Sequence, residues 1–458
     1  MSAPDALPRG GETLRLRAGV SIGRERSGIH LVGYPDTTPI DGGDLAVVRA
    51  LAAGEHRAEE FPAQARTLLS RLRQDGWLVV TVHDGDTPLY TLEPRTRPAA
   101  GAPTDVPATA RLSRFTTIAA APDGGLCATS PRAWASITVH APGALATLAD
   151  PGAAGPPSGI SPHAASLLRR DLLWSGLAGT EDEDEEFRVR QWSALDLAFH
   201  RSSRGIDGEA GVAGGFGATY WGREHATVPG SRPPAAGPVT DLPRPDLERI
   251  RATDPSLTEA LEARRSVRDH DAGTPITIEQ LAEFLYRCAK TSGRPTPYGE
   301  RPRRAYPGGG GVHELELYVV AHQVAGLESG TYHYDGYGHR LELVRRQAGA
   351  ERILLDAARS MSGAKARPQV LLLVTARFEQ LMWVYEGLAY ALILKNLGVL
   401  MQTMYLVATA MGLGGCALGS SAPRVFQRIA GADPLSEDVV GEFMLGTVAA
   451  EHRMKGDA

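Results

Sequence analysis

Three guanidinium groups and one hydroxyl fall within five residues, Arg264, Arg265, Ser266, Val267 and Arg268. Guanidinium suits a phosphate because it forms paired hydrogen bonds with it. The cluster is therefore a candidate phosphate site; the alternative is a solvated basic face that pairs with nearby Asp and Glu. Arg264 and Arg268 lie four apart and would share a face if helical. Two glycine-rich stretches bear on the choice. Pro307, Gly308, Gly309, Gly310 and Gly311 precede the alternating run HELELYVV, and residues 412–421 read GLGGCALGSS. Consecutive glycines remove every Cβ, so the backbone either lies against a flat ligand with its N–H groups at close range or makes a tight turn. Taken with the arginines, they point to a planar cofactor that carries a phosphate. Neither stretch matches a P-loop or the G-x-G-x-x-G turn between strand and helix.

These residues need a scaffold, and the sequence from about residue 244 predicts one. SLTEALEARRSVRDHD reads as a helix capped by Ser256, with Glu259 three residues on, that ends at the basic cluster. TPITIEQLAEFLYRCAKTSG is a second, capped by Thr277, with Leu281, Phe284, Leu285 and Cys288 on one face. His313 to Val320 alternates as a strand, with Leu315, Leu317 and Val319 on one face and Glu314, Glu316 and Tyr318 on the other. TYHYDGYGHRLELV reads as a hairpin arm, PQVLLLVTARF as a buried strand, Glu386 to Gly412 as one long helix, and EDVVGEFMLGTVA as a closing strand. The order predicts an α+β domain over residues 244–458, a mixed sheet covered by helices.

Upstream, residues 1–100 give strands, helices and then a hairpin turning at Asp84, Gly85 and Asp86, the outline of a small winged-helix module. Residues 101–203 repeat that outline more faintly, with Ser161 as a helix cap. Residues 204–243, rich in Gly, Pro and Ala, read as an interdomain connection. The acidic run Glu181 to Glu186 reads as a solvated loop.

Composition excludes several classes. The 458 residues are 43% hydrophobic and 22% charged, ordinary values for a globular protein. A net charge of -5 offers no basic excess for nucleic acid or an anionic membrane. Cys127, Cys288 and Cys416 are far apart and form no CxxC, which fits a reducing compartment without a metal site or disulfide frame. The N-terminus lacks the apolar core of a signal peptide, so a cytoplasmic location is expected. Asn396 to Pro423 contains no acidic or basic residue, yet Asn396, Gln402, Thr403, Thr409 and several glycines interrupt it. It reads as a buried core helix and not a membrane span.

Six segments in order, RRSVRDHD, YPGGGGVHELELYVV, ESGTYHYDGYGHRLE, MWVYEGLAYALILKNLGV, MYLVATAMGLGGCALGSS and VVGEFMLGT, resemble the SagB-type dehydrogenases. These are FMN-dependent azoline oxidases of nitroreductase-like fold that act on thiazole- and oxazole-modified peptides, and the thiopeptide branch is the most similar. The resemblance covers about Pro243 to Arg453 and extends to LDLAFHRSSRG upstream. It implies a homodimer with FMN at the interface. Arg264, Ser266 and Arg268, with Arg265 in the same cluster, would meet the flavin phosphate and pyrimidine edge. Pro307, Gly308, Gly309 and Gly310 would approach from the partner subunit. Gly414, Gly415 and Cys416 would supply backbone near the reactive nitrogen, and Arg453 a further phosphate contact.

In this chemistry a proton leaves the ring carbon that was a residue's Cα, and a hydride leaves the neighbouring carbon for the flavin. The implied partners are an azoline-containing precursor peptide and an ATP-dependent cyclodehydratase, with the N-terminal modules similar to winged helices that hold leader peptides. Two positions depart from the family. Gly308 stands where serine is usual, and Trp383-Val384-Tyr385 stands where many relatives have an adjacent Lys-Tyr pair. Valine cannot take a proton, so the base is Tyr385, Lys395 or solvent. Tyr385 also suits ordinary packing, and Lys395 a buried structural charge. Two other readings stay open: an NAD(P)H-dependent reductase of nitro compounds or quinones, and a non-catalytic scaffold that docks the peptide or the cyclodehydratase.

Overall fold

The computed structural model describes residues 11–25, 28–33, 36–153, 155, 159–180, 182–204, 219, 224–225, 230, 232–296, 299–346, 348–419 and 422–448. The chain divides into two compact units, residues 1–214 and 215–458.

In the first unit the hairpin forms as the sequence predicts. Leu78–Asp84 and Thr87–Pro94 pair antiparallel, and Gly85 adopts the left-handed φ of 63° that a two-residue turn requires. Its outer strand then pairs with Ala135–Val139, with Leu92 opposite Ile137. That pairing joins the two segments expected as separate modules. Among the described residues they share one seven-stranded antiparallel sheet and one hydrophobic core, which runs from Leu14 to Ala178. Two small cores would each have left the hairpin edge open, whereas one sheet buries it.

Charge is buried in that core as a network. The Arg73 guanidinium donates to both Glu12 oxygens at 3.0 and 2.9 Å and lies 3.7 Å from Asp171. Tyr90 donates to Asp171 at 2.8 Å. The acidic run is also less solvated than expected, because Glu183 accepts from Ser113 at 2.8 Å, from the Arg114 N–H at 2.9 Å and from Arg132 at 2.6 Å.

The second unit is built on a sheet ordered Val239–Asp241, Arg340–Arg345, Gly330–Asp335, Leu315–Ala321, Val370–Arg377, Glu437–Thr447 and Leu413–Leu418. The α+β class holds. Every neighbouring pair in this sheet is antiparallel, so the parallel component expected of a mixed sheet is confined to two-residue strands, Ile276–Thr277 with Val324–Ala325, outside it. The last part of the Gly/Pro-rich connection supplies the edge strand Val239–Asp241.

Helices cover both faces. Leu317, Val319, Leu372, Val374, Phe443 and Leu445 pack with Phe284 of helix Ile278–Ala289 and Ile393, Leu400 and Met404 of helix Ala389–Ala410. Tyr318, Leu371, Leu373, Cys416 and Met444 pack with Leu354 of helix Ala348–Ser362 and Phe426 of helix Pro423–Ala430. Strand Leu315–Ala321 is thus buried on both faces, including the face that carries Glu316 and Tyr318. Glu316 is bonded there to His333 at 3.1 Å, and Tyr318 donates to Glu437 at 2.9 Å.

The long helix starts at Ala389 and ends before Gly412, whose φ is 66°. Among the described residues it is the one helix long and apolar enough to cross a membrane. One face is in the core through Ile393, Leu397, Leu400, Met404 and Ala408; Tyr390, Leu394 and Val399 are exposed.

Candidate functional site

Helix Leu257–Ala263 begins with the predicted capping box, in which the Ser256 side chain and Glu259 satisfy each other's backbone N–H. It stops at Arg264, so the arginine cluster lies beyond it and the helical face considered for Arg264 and Arg268 does not form. The segment instead runs beside the sheet edge, where the Val267 N–H donates to the Gly415 oxygen at 2.9 Å and the Asp271 N–H to the Thr447 oxygen at 3.0 Å.

Gln369, almost fully buried, fixes the rest of this segment. Its oxygen accepts from the N–H groups of Ile276 and Thr447 at 2.9 and 3.0 Å, and its amide donates to the oxygens of Asp271 and Thr274 at 2.7 and 3.2 Å. His270 packs over Gly446, and burial lowers its pKa to about 4, so it is a neutral packing group.

Tyr405 of the long helix organises the cluster. The Arg264 guanidinium lies 5.4 Å from its ring centroid, Ser266 Oγ is 2.9 Å from its hydroxyl, and the same hydroxyl accepts from the Ala417 N–H at 2.8 Å. Among the described residues neither Arg264 nor Arg268 forms an ion pair, so both charges remain available to an anion. Arg265 and Arg268 are exposed.

The second glycine stretch forms strand Leu413–Leu418. Its glycines have a packing reason: a Cβ at Gly414 would meet the Val267 side chain at 2.7 Å, and one at Gly415 the Phe443 ring at 2.5 Å. The absence of side chains there lets the arginine segment and the neighbouring strand close in. Cys416 is buried among Leu371, Phe426 and Met444 on the sheet face opposite to Gly415, so it reads as a packing residue.

The first glycine stretch sits elsewhere on the same helix. Residues 309–311 form one tight turn in which Gly310 and Gly311 have φ of 60° and 67°. Its anchor is Asn396, whose oxygen accepts from the Gly309 N–H at 3.1 Å and whose amide donates to Glu314 at 2.9 Å. Glu314 is fully buried, and burial raises its pKa. Asn396 and Tyr405 are nine residues apart on the helix, about 14 Å along its axis. Within one chain the structure therefore does not bring Pro307–Gly310 against the arginine cluster.

Val384 is buried, so the position at which the resemblance led to expect a lysine faces inward. Tyr385 is half-buried against the core that contains Leu381. The turn that bears both is tied to the connection: Thr219 donates twice to the Trp383 oxygen, at 3.1 and 3.2 Å, and the Trp383 indole donates to the His225 oxygen at 3.1 Å. Lys395 lies on the exposed face of the helix, so its reading as a buried structural charge is not realised. Arg453 lies outside the described residues.

The arginine cluster fits the phosphate of a flavin nucleotide: two guanidiniums without an acidic partner flank a hydroxyl. His313 Nδ1, beside the glycine turn, is buried without a hydrogen-bond partner. Sequence reasoning missed His313, Asn396, Tyr405 and Gln369 as parts of the site. Asn396 had a signal, a polar residue on the inward face of an apolar helix.

Residues 261–447 match the model of the Nitroreductase family. The C-terminal unit carries a nitroreductase-family domain. It is an oxidoreductase domain of a family whose members bind flavin. MJ1384 of Methanocaldococcus jannaschii, named for the nitroreductases, is 28% identical over 187 residues, 40% of this chain and 86% of that protein. Trifolitoxin-processing protein TfxB of Rhizobium leguminosarum bv. trifolii is 29% identical over 150 residues, which are 32% of this chain but only 40% of that protein. Among solved structures, a chain of the E. coli microcin synthetase McbBCD complex with truncated pro-MccB17 bound aligns at 18% identity with a TM-score of 0.34. The alignment covers 56% of this chain and 92% of that one.

Proposed function

We propose that this protein is an FMN-dependent dehydrogenase that oxidises thiazoline or oxazoline rings in a ribosomally made precursor peptide, acting as a homodimer beside a cyclodehydratase. The observation that carries the cofactor reading is the lay of the arginine cluster along the glycine strand, with the Val267 N–H on the Gly415 oxygen and two guanidiniums uncommitted. Arg264, Ser266 and Arg268 would hold the phosphate and pyrimidine edge, and strand Leu413–Leu418 would offer backbone beside the ring. Bound FMN would supply the hydride acceptor.

The homodimer reading draws on the separation along helix Ala389–Ala410. Asn396 and Tyr405, which anchor the two segments, lie about 14 Å apart along the helix, so the glycine turn is proposed to meet the flavin from a second copy; Tyr390 and Leu394, one turn apart, are exposed on that helix. Tyr385 is proposed as the group that takes or relays the Cα proton, with Val384 buried and Lys395 turned to the exposed face. The peptide substrate is supported by the relation to a trifolitoxin-processing protein. A nitroreductase acting on small molecules would leave the first unit without a task, so that unit is proposed to hold the precursor.

The test is aerobic incubation with FMN and a thiazoline-containing peptide, read by mass. Loss of two hydrogens per ring supports the proposal. An unchanged peptide, with NAD(P)H consumed against a nitro compound or quinone, identifies a reductase instead.

A further inference from the structure

Tyr405 stands where the long helix, the arginine cluster and the glycine strand meet. Its ring is held edge-on at 5.0 Å against Phe443, which is fully buried, and the Arg264 guanidinium lies 5.4 Å from its centroid. The hydroxyl is therefore directed from a fixed ring. It accepts from the Ala417 N–H at 2.8 Å and lies 2.9 Å from Ser266 Oγ.

The two contacts differ in what they leave open. The Ala417 N–H can only donate, so that bond occupies an acceptor position of the phenol and leaves its hydrogen unused. Ser266 Oγ, by contrast, can give or take. Among the described residues Tyr405 is its one hydrogen-bond partner. Ser266 and Tyr405 both retain exposed surface.

We propose that the Tyr405 hydroxyl donates to Ser266 and so frees the serine's own hydrogen for the phosphate that Arg264 and Arg268 attract, which makes Tyr405 a positioning residue selective for the phosphate of the flavin. The inference rests on the FMN reading above. With Tyr405 as the donor, Ser266 is set as a donor before the ligand arrives, and a hydrogen bond to an ionised phosphate is stronger than one to a neutral acceptor. The same ring carries Arg264, so one side chain orients two of the groups that would meet the phosphate.

Titration of FMN, and of riboflavin, which lacks the phosphate, into the flavin-free full chain tests it by flavin fluorescence. The proteins are the parent, Tyr405→Phe, Ser266→Ala and the double variant. Tyr405→Phe keeps the ring against Phe443 and beside Arg264 and removes only the hydroxyl. FMN binding weakens about five- to tenfold, riboflavin binding is unchanged, and the double variant binds FMN no more weakly than Ser266→Ala, because Tyr405 acts through the serine. Parent-like FMN affinity in Tyr405→Phe overturns the proposal. Equal weakening for both flavins also overturns it, since the hydroxyl then serves only the strand at Ala417, and so do additive losses in the double variant. If riboflavin binds too weakly to titrate, the double variant decides. Should Tyr405→Phe not fold, Ser266→Ala decides in its place: a loss confined to FMN supports the proposal and parent-like FMN affinity overturns it. A parent that binds no FMN overturns the FMN reading itself.

Discussion

The Val267 N–H donates to the Gly415 carbonyl at 2.9 Å, which brings together two segments about 150 residues apart in the chain. Through that bond the arginines lie beside the strand whose glycines admit them. Gly415 is the tight point, since its Cβ would stand 2.5 Å from the buried Phe443 ring. Gly415→Ala is expected to destabilise the second unit by about 1–3 kcal/mol through overpacking. Urea unfolding measures this, and a parent-like midpoint would mean that the strand has slack.

Arg264→Ala removes a guanidinium with no acidic partner and its contact with the Tyr405 ring. FMN affinity should fall about tenfold or more, as expected for a charge-assisted bond, with little change in melting temperature. Full flavin retention in that variant would refute the phosphate role.

Asn396 joins the glycine turn to a buried carboxyl, through Gly309 on one side and Glu314 on the other. Asn396→Ala leaves both without that partner and should cost about 1–3 kcal/mol. Equilibrium unfolding checks the magnitude; the variant should also lose the rigidity of the turn, read as faster amide exchange at Gly309.

These sites show how far the sequence was legible. The caps at Ser256, Thr277 and Ser161 and the turn at Gly85 were readable because each is fixed by residues within a few positions. The pairing of Thr87–Pro94 with Ala135–Val139 was not, since it depends on edges that meet across distant sequence. The glycines at 414 and 415 were visible, but their reason was not, because Val267 and Phe443 arrive from other elements. Glu316 looked like the polar half of an alternating strand until His333 and the covering chain buried it.

Glu442 gives a pH signature. Burial raises its pKa to about 7 in the folded protein, against an ordinary 4.5. Between those values the folded form keeps a proton that the unfolded form has lost, so this group's contribution to stability declines as pH rises from about 4.5 to about 7. Glu442→Gln should therefore be more stable than the parent at pH 8, by roughly 2–3 kcal/mol, with the advantage shrinking towards pH 5. Denaturant midpoints across that range check the sign, and an advantage independent of pH would contradict it.

Tyr385→Phe addresses the proton. If Tyr385 takes or relays it, single-turnover oxidation should slow by about 10²–10⁴ with FMN binding unchanged. An unaltered rate would leave solvent or another group as the base.

The decisive observation is the visible spectrum of the FMN-loaded protein mixed without oxygen with a thiazoline-containing peptide and no NAD(P)H. Azoline oxidation predicts that the flavin absorption bleaches as the peptide loses two hydrogens per ring. Bands that persist with the peptide and bleach only on addition of NAD(P)H would contradict it and make the protein a reductase.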